Sequence, residues 1–158
     1  MPHDHEILNR FLVEIFNEIL RTEERCIAQS GYTDLSIREL HVIEAVCLCS
    51  VNGCNTARDI AAFLGVVPGT LTVSTAALER KGYLTRTRDD LDRRVVRICA
   101  TEKGRRANDD HDRFHRQMID QVLNILTPEE TVVFLRALDS LAHFFRAGHG
   151  AQTTTQPI

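Results

Sequence analysis

The segment from Thr56 to Arg106, TARDIAAFLGVVPGTLTVSTAALERKGYLTRTRDDLDRRVVRICATEKGRR, constrains the fold more than any other part of this chain. Ala57 to Leu64 has helical spacing, with Thr56 able to cap its start and Gly65 to end it. Pro68 opens the next helix, at a position where a missing N–H costs nothing, and Gly82 closes it after Lys81. Tyr83 to Arg88 and Arg93 to Cys99 read as two strands, and the turn-rich DDLD lies between them.

Helix, turn, helix and hairpin in that order make a helix-turn-helix with a β-wing. Such a unit places one helix in a DNA groove and a basic loop beside it. The charge distribution agrees. The formal net charge of the chain is −3, but Arg80 to Arg106 holds 10 of the 19 Lys and Arg and 4 of the 22 Asp and Glu. That island carries +6 and the remainder −9, so one basic face on an acidic body is available to phosphate.

Apolar periodicity places four more helices around the unit. Leu8, Phe11, Leu12, Ile15, Phe16, Ile19 and Leu20 form a wide stripe on a first helix, from His5 to about Gln29. Ser36 and Glu39 form a capping box that opens a second, and the turn CSVNGCN, with Asn52-Gly53 as the breaker, closes it. A fifth helix runs from Thr101 to about Ile125. Thr127-Pro128-Glu129-Glu130 opens a sixth, rich in Val, Leu and Phe up to Phe145.

The expected fold is mainly α (α+β): six helices and a hairpin wing, one domain over residues 1–158. Within it, 36–100 is the winged unit, 5–30 and 101–147 are dimerisation helices, and 148–158 is a disordered tail. The first and last helices are the greasiest and lie outside the winged unit. We expect them to pack across a two-fold axis, so that a homodimer meets double-stranded palindromic DNA.

Within the fourth helix, Leu71, Thr75 and Leu78 share the face that packs inward. Thr70, Thr72, Val73 and Ala76 point outward, where small hydroxyl and methyl groups can approach base edges. Pro68, Gly69 and Thr70 form the helix start, whose N–H groups can take a phosphate. Arg58, at the start of the third helix, and Arg86 and Arg88, on the first wing strand, are candidates for backbone contacts. Arg93 and Arg94 are candidates for minor-groove entry, and Asp92 is expected to hold an Arg in place.

These residues carry a resemblance. Ile60-Ala61-Ala62-Phe63-Leu64-Gly65, Leu78-Glu79-Arg80-Lys81-Gly82-Tyr83-Leu84, Asp92-Arg93-Arg94 and Thr101-Glu102-Lys103-Gly104-Arg105 resemble the MarR family of bacterial winged-helix regulators. The likeness extends from Leu8 to about Phe145. It implies a homodimeric transcriptional regulator in which Asp92 is the structural Asp of the wing and Arg94 the inserting Arg.

The effector is read from other residues. His111 and His115 lie one turn apart on the fifth helix, a spacing able to hold one metal ion. With His41 and Glu24 they are similar to the metal set of the zinc-responsive branch of the family, which implies Zn as a possible cofactor. The Cys of that branch's second site has no counterpart here, since Gln29 stands near its place.

The FabT-type repressors of fatty-acid synthesis share more stretches. These are Ser36-Ile37 with Glu39 and His41, Leu64-Gly65, Pro68-Gly69-Thr70, Leu78 to Tyr83, Asp92 to Val96, and Arg113-Phe114-His115. That resemblance implies control by acyl chains on acyl carrier protein. It would need an apolar pocket lined by Phe11, Ile15, Ile19, His41, His111, Phe114 and Met118. Ordinary core packing would use the same residue types, so the histidines keep three readings: core, metal site or part of an acyl gate.

Other classes find little support. No Gly-rich phosphate loop, G-x-S-x-G or H-E-x-x-H occurs, so an enzyme is not expected. No run of eighteen apolar residues suggests a membrane span, and the polar N-terminus is unlike a secretory signal. The expected location is the cytoplasm. Five cysteines, an odd number, suit reduced thiols better than a disulfide framework. Cys47, Cys49 and Cys54 lack the paired spacing of a metal site.

Overall fold

A computed structural model describes residues 2–148. The expectation for the tail beyond them lies outside the described residues. The elements, in chain order, are α1 (Pro2–Gln29), α2 (Ile37–Val51), α3 (Ala57–Leu64), α4 (Pro68–Arg80), β1 (Leu84–Arg88), β2 (Val96–Ala100), α5 (Glu102–Leu123) and α6 (Pro128–Gly148). The chain divides into two compact units, the first ending at Phe114 and the second beginning at His115.

Each helix of the first unit starts and stops for a local reason. Ser36 and Glu39 cap each other's backbone at the start of α2. Thr56 does the same for α3, with Asp59 as its partner. The end of α2 lies further on than the CSVNGCN turn suggests, since Cys49, Ser50 and Val51 are still helical. There Gly53 adopts φ 67° and its N–H reaches Ser50 O, while Cys54 N–H reaches Cys49 O. These two bonds satisfy carbonyls that a helix end otherwise leaves unpaired.

The core of this unit is built from α2, α3, α4 and the hairpin. Ile43, Val46, Ile60, Leu71, Leu78, Tyr83 and Ile98 are fully buried in it. Leu84 pairs with Ala100 and Arg88 with Val96 in the antiparallel ribbon. The second strand starts at Val96, three residues later than the sequence suggests. The reason is side-chain capture of backbone. Asp89 Oδ1 accepts from Leu91 N–H and Asp92 N–H, and Asp92 Oδ1 accepts from Arg94 N–H. These bonds hold Arg93 and Arg94 in a loop rather than a ladder.

The hairpin joins α5 at a tight crossing. Thr101 N–H donates to Tyr83 O, and Thr101 Oγ1 accepts from Gly104 N–H as a helix cap. A Cβ on Gly104 would lie 2.2 Å from Tyr83 O. The Tyr83 hydroxyl donates to Asp34, and Lys103 Nζ sits 3.9 Å above the Tyr83 ring. Burial, and then Asp34, push the Tyr83 phenol well up, while the Tyr83 hydroxyl and Lys103 hold Asp34 below the usual carboxylate range.

In the second unit, Thr127 and Glu130 form the expected capping box at the start of α6. Val132, Val133, Leu135, Leu138, Phe144 and Phe145 are exposed along that helix. In the first unit, α1 buries Glu23 and Ile27 but leaves Leu8, Phe11, Leu12, Ile15 and Phe16 exposed. Phe16 and Phe144 keep 63% and 69% of their surface accessible, far more than a finished core allows.

Candidate functional site

The fourth helix packs as its pattern suggests. Leu71, Thr75 and Leu78 are buried against the core, while Gly69, Thr70, Thr72 and Val73 are exposed and Ala76 is half-buried. Pro68 is at the first turn and Val67 caps without a side-chain bond. Thr70 N–H already donates to Val67 O, so Gly69 remains the better candidate for a phosphate. Arg58, on α3, is exposed nearby in sequence.

The wing differs from expectation in which residues do the holding. Arg88, Arg93 and Arg94 are exposed. Arg86, also exposed, reaches α4: Nη2 donates to Thr75 Oγ1 at 3.2 Å and Nε lies 3.2 Å from Glu79 Oε2. It ties β1 to α4. Asp92 Oδ1 accepts the Arg94 N–H.

The wing's buttress is Asp89 with Arg97. Arg97 Nε donates to Asp89, and Nη1 donates to Gly53 O at 2.6 Å and to Asn55 Oδ1 at 3.0 Å. Asn55 Nδ2 in turn donates to Ile98 O. Arg97, then the N–H groups of Asp92 and Leu91, hold the Asp89 carboxyl down to about 2. Sequence reasoning missed Asp89, Arg97 and Asn55. Asp89 was legible in principle, because an Asp two residues before a turn often captures the turn's N–H groups.

Residues 35–96 match the MarR family. A crystal structure of Streptococcus pneumoniae FabT in complex with DNA superposes with a TM-score of 0.78 at 34% identity, covering 90% of this chain and 98% of that one. The chain belongs to the MarR family. The Bacillus subtilis (strain 168) HTH-type transcriptional regulator YwhA, itself uncharacterized, is 34% identical over 91 residues, which span 58% of this chain and 66% of that relative. A Staphylococcus aureus MepR–DNA complex, at 20% identity and a TM-score of 0.70, covers 85% of this chain and 94% of its own and shares the fold. MarR-family proteins are DNA-binding transcriptional regulators and not enzymes.

A second cluster in this MarR-family chain is acidic and imidazole in character. Glu23 is 3% exposed. Its Oε1 lies 3.6 Å from His111 Nε2, and its Oε2 lies 3.8 Å from His41 Nε2. The two imidazole centroids are 5.5 Å apart, and Glu44 Oε2 lies 3.9 Å from His111 Nδ1. His115 follows His111 by one helical turn on α5.

The expected carboxylate, Glu24, is exposed, and the one at the cluster is Glu23. The reason is helical phase. Glu23 and Ile27 are four residues apart and share the inward face of α1, a face that Glu24, one residue on, has left.

The candidate acyl pocket is gathered less well. Phe11 and Ile15 line an open surface groove on α1 with Glu14, Asn17, Glu18 and Arg21. Ile19, Phe114 and Met118 are half-buried. The His41 and His111 rings lie tilted at 50° to each other. The five cysteines are free thiols, and burial, before any nearby charge, pushes Cys47 and Cys49 up. Among the described residues no single helix is long and apolar enough to cross a membrane.

Proposed function

We propose that this chain is a homodimeric repressor of the MarR family that binds double-stranded palindromic DNA in the cytoplasm and controls fatty-acid synthesis genes in response to acyl chains or acyl carrier protein. The outward face of α4, set beside the exposed arginines of the wing, carries the DNA-binding part. A helix with Leu71, Thr75 and Leu78 buried presents Thr70, Thr72 and Val73 to a major groove. The hairpin then presents Arg93 and Arg94 to the adjacent minor groove.

The exposed apolar residues of α1 and α6 support the dimer, because a second copy would take them out of water. The FabT likeness over 90% of the chain supports the lipid reading.

A mobility-shift assay on the chain's own promoter tests the proposal. Retardation at low salt is expected, tightened by long-chain acyl carrier protein and indifferent to chelator. No retardation under any of these conditions would overturn it.

The Glu23 cluster favours a second reading, a zinc-responsive regulator with the same DNA-binding head. One buried carboxylate facing two imidazoles, with a third imidazole a turn along α5, is a donor set that suits Zn. When bound, the ion would neutralise Glu23 and hold α1, α2 and α5 together. Operator binding that requires zinc and ignores acyl groups would select this reading.

A further inference from the structure

We infer that α4 reads its operator through the methyl groups of thymine, with Val73 as the specificity-determining residue. This rests on the assignment of α4 to the major groove and goes beyond it by naming the base chemistry that fits.

The donors and acceptors on the helix decide the matter. Guanine shows two acceptors in the major groove and calls for paired donors, usually from Arg or Lys; adenine calls for Asn or Gln. From Pro68 to Ala77 the helix has none of these four residue types. The hydroxyls of Thr72 and Ser74 are also committed. Thr72 Oγ1 donates to Pro68 O at 2.9 Å, and Ser74 Oγ donates to Thr70 O at 3.1 Å. Thr72 therefore offers a base only its lone pairs and its methyl group.

Val73 lies beside it, 72% exposed. Its β-branched side chain is stiff in a helix, so its two methyls are held in place before any partner arrives. Thymine is the base that presents a methyl group at this groove. A guanine in the same place would lose water from N7 and O6 with no donor to replace it. Glu79, further along, is occupied by Arg86. The helix is thus built to accept a thymine and to reject a guanine beneath Val73.

The test begins with full-length protein and a pool of duplexes randomised at their centre. The best-retained duplex is resynthesised with deoxyuridine in place of each thymidine in turn, which removes only the methyl. One thymidine per half-site should then lose about fourfold in affinity, the transfer free energy of one methyl group. V73A protein, altered at an exposed site, should lose that sensitivity and keep its salt dependence. V73R should move the selected base at that position toward guanine. Retention within twofold after every thymidine is replaced, with DNA binding intact, would overturn the inference and leave the DNA-binding assignment standing. A pool from which nothing is retained at low salt would overturn both.

Discussion

Glu23 stands between two histidines, with one carboxylate oxygen 3.6 Å from His111 Nε2 and the other 3.8 Å from His41 Nε2. Three helices, α1, α2 and α5, each give one residue to this contact. E23Q should therefore weaken zinc binding by on the order of tenfold or more, measured by competition with a chromophoric chelator. E24Q should leave it unchanged. The reverse pattern would show that the inward carboxylate of α1 is not the ligand.

Arg94 and Arg86 are predicted to act on DNA by different routes. Arg94 is exposed at the wing tip. R94A should lower affinity and reduce the slope of log K against log salt by about 0.9, the value for one phosphate contact. Arg86 is held by Thr75 and Glu79. R86A should lower affinity by loosening the angle between wing and α4, with the salt slope unchanged. Binding measured from low to moderate salt separates the two, and equal slope changes would contradict a bracing role for Arg86.

The Asp89 carboxyl is held at about 2 by Arg97 and the turn N–H groups. An unfolded Asp titrates at about 3.9. Because the folded value is depressed, this group favours the folded wing above pH ~4. That contribution is lost as pH falls from there through about 2. A carboxyl-carbon NMR titration should find Asp89 the lowest of the wing aspartates, and R97A should move its midpoint up toward the unfolded value. Hydrogen exchange at the Leu91 and Asp92 amides should speed up in the same variant.

Two glycines in helices should respond to alanine with opposite signs. A Cβ on Gly104 would meet Tyr83 O at 2.2 Å, while one on Gly69 would meet nothing within 4 Å. G69A should stabilise the fold by up to about 1 kcal/mol, the difference in helix propensity. G104A should destabilise it by about 2 kcal/mol or more, since the contact is with backbone and α5 must shift off the hairpin. Urea unfolding of both variants is the check.

The sequence made the frame readable wherever a single local rule governs. Ser36 with Glu39, Thr56 with Gly65, Pro68, and Thr127 with Glu130 set the helix ends, and each does what its residue type favours. Tertiary choices were harder to read. Whether Glu23 or Glu24 faces His41 depends on a phase difference of one residue, and the long apolar stripe of α1 does not fix that phase. The part played by Asp89 was hidden for a similar reason. Asp89 and Asp92 both suit a turn, and the choice rests on Arg97, which reaches across from β2 to the turn after α2. Arg86 gave no sequence signal of its bonds to Thr75 and Glu79, because both partners lie on another element.

Arg97 also determines how the hairpin can move. It ties the carbonyl of Gly53 and the side chain of Asn55, just past the end of α2, to the root of the wing at Asp89. The hairpin is therefore no loose flap but an outrigger bolted to the far end of α2. His41 sits near the opposite end of that same rod. Any tilt of the rod at His41 would swing Arg93 and Arg94 through a larger arc, so a small local rearrangement could gear directly into how far the wing reaches.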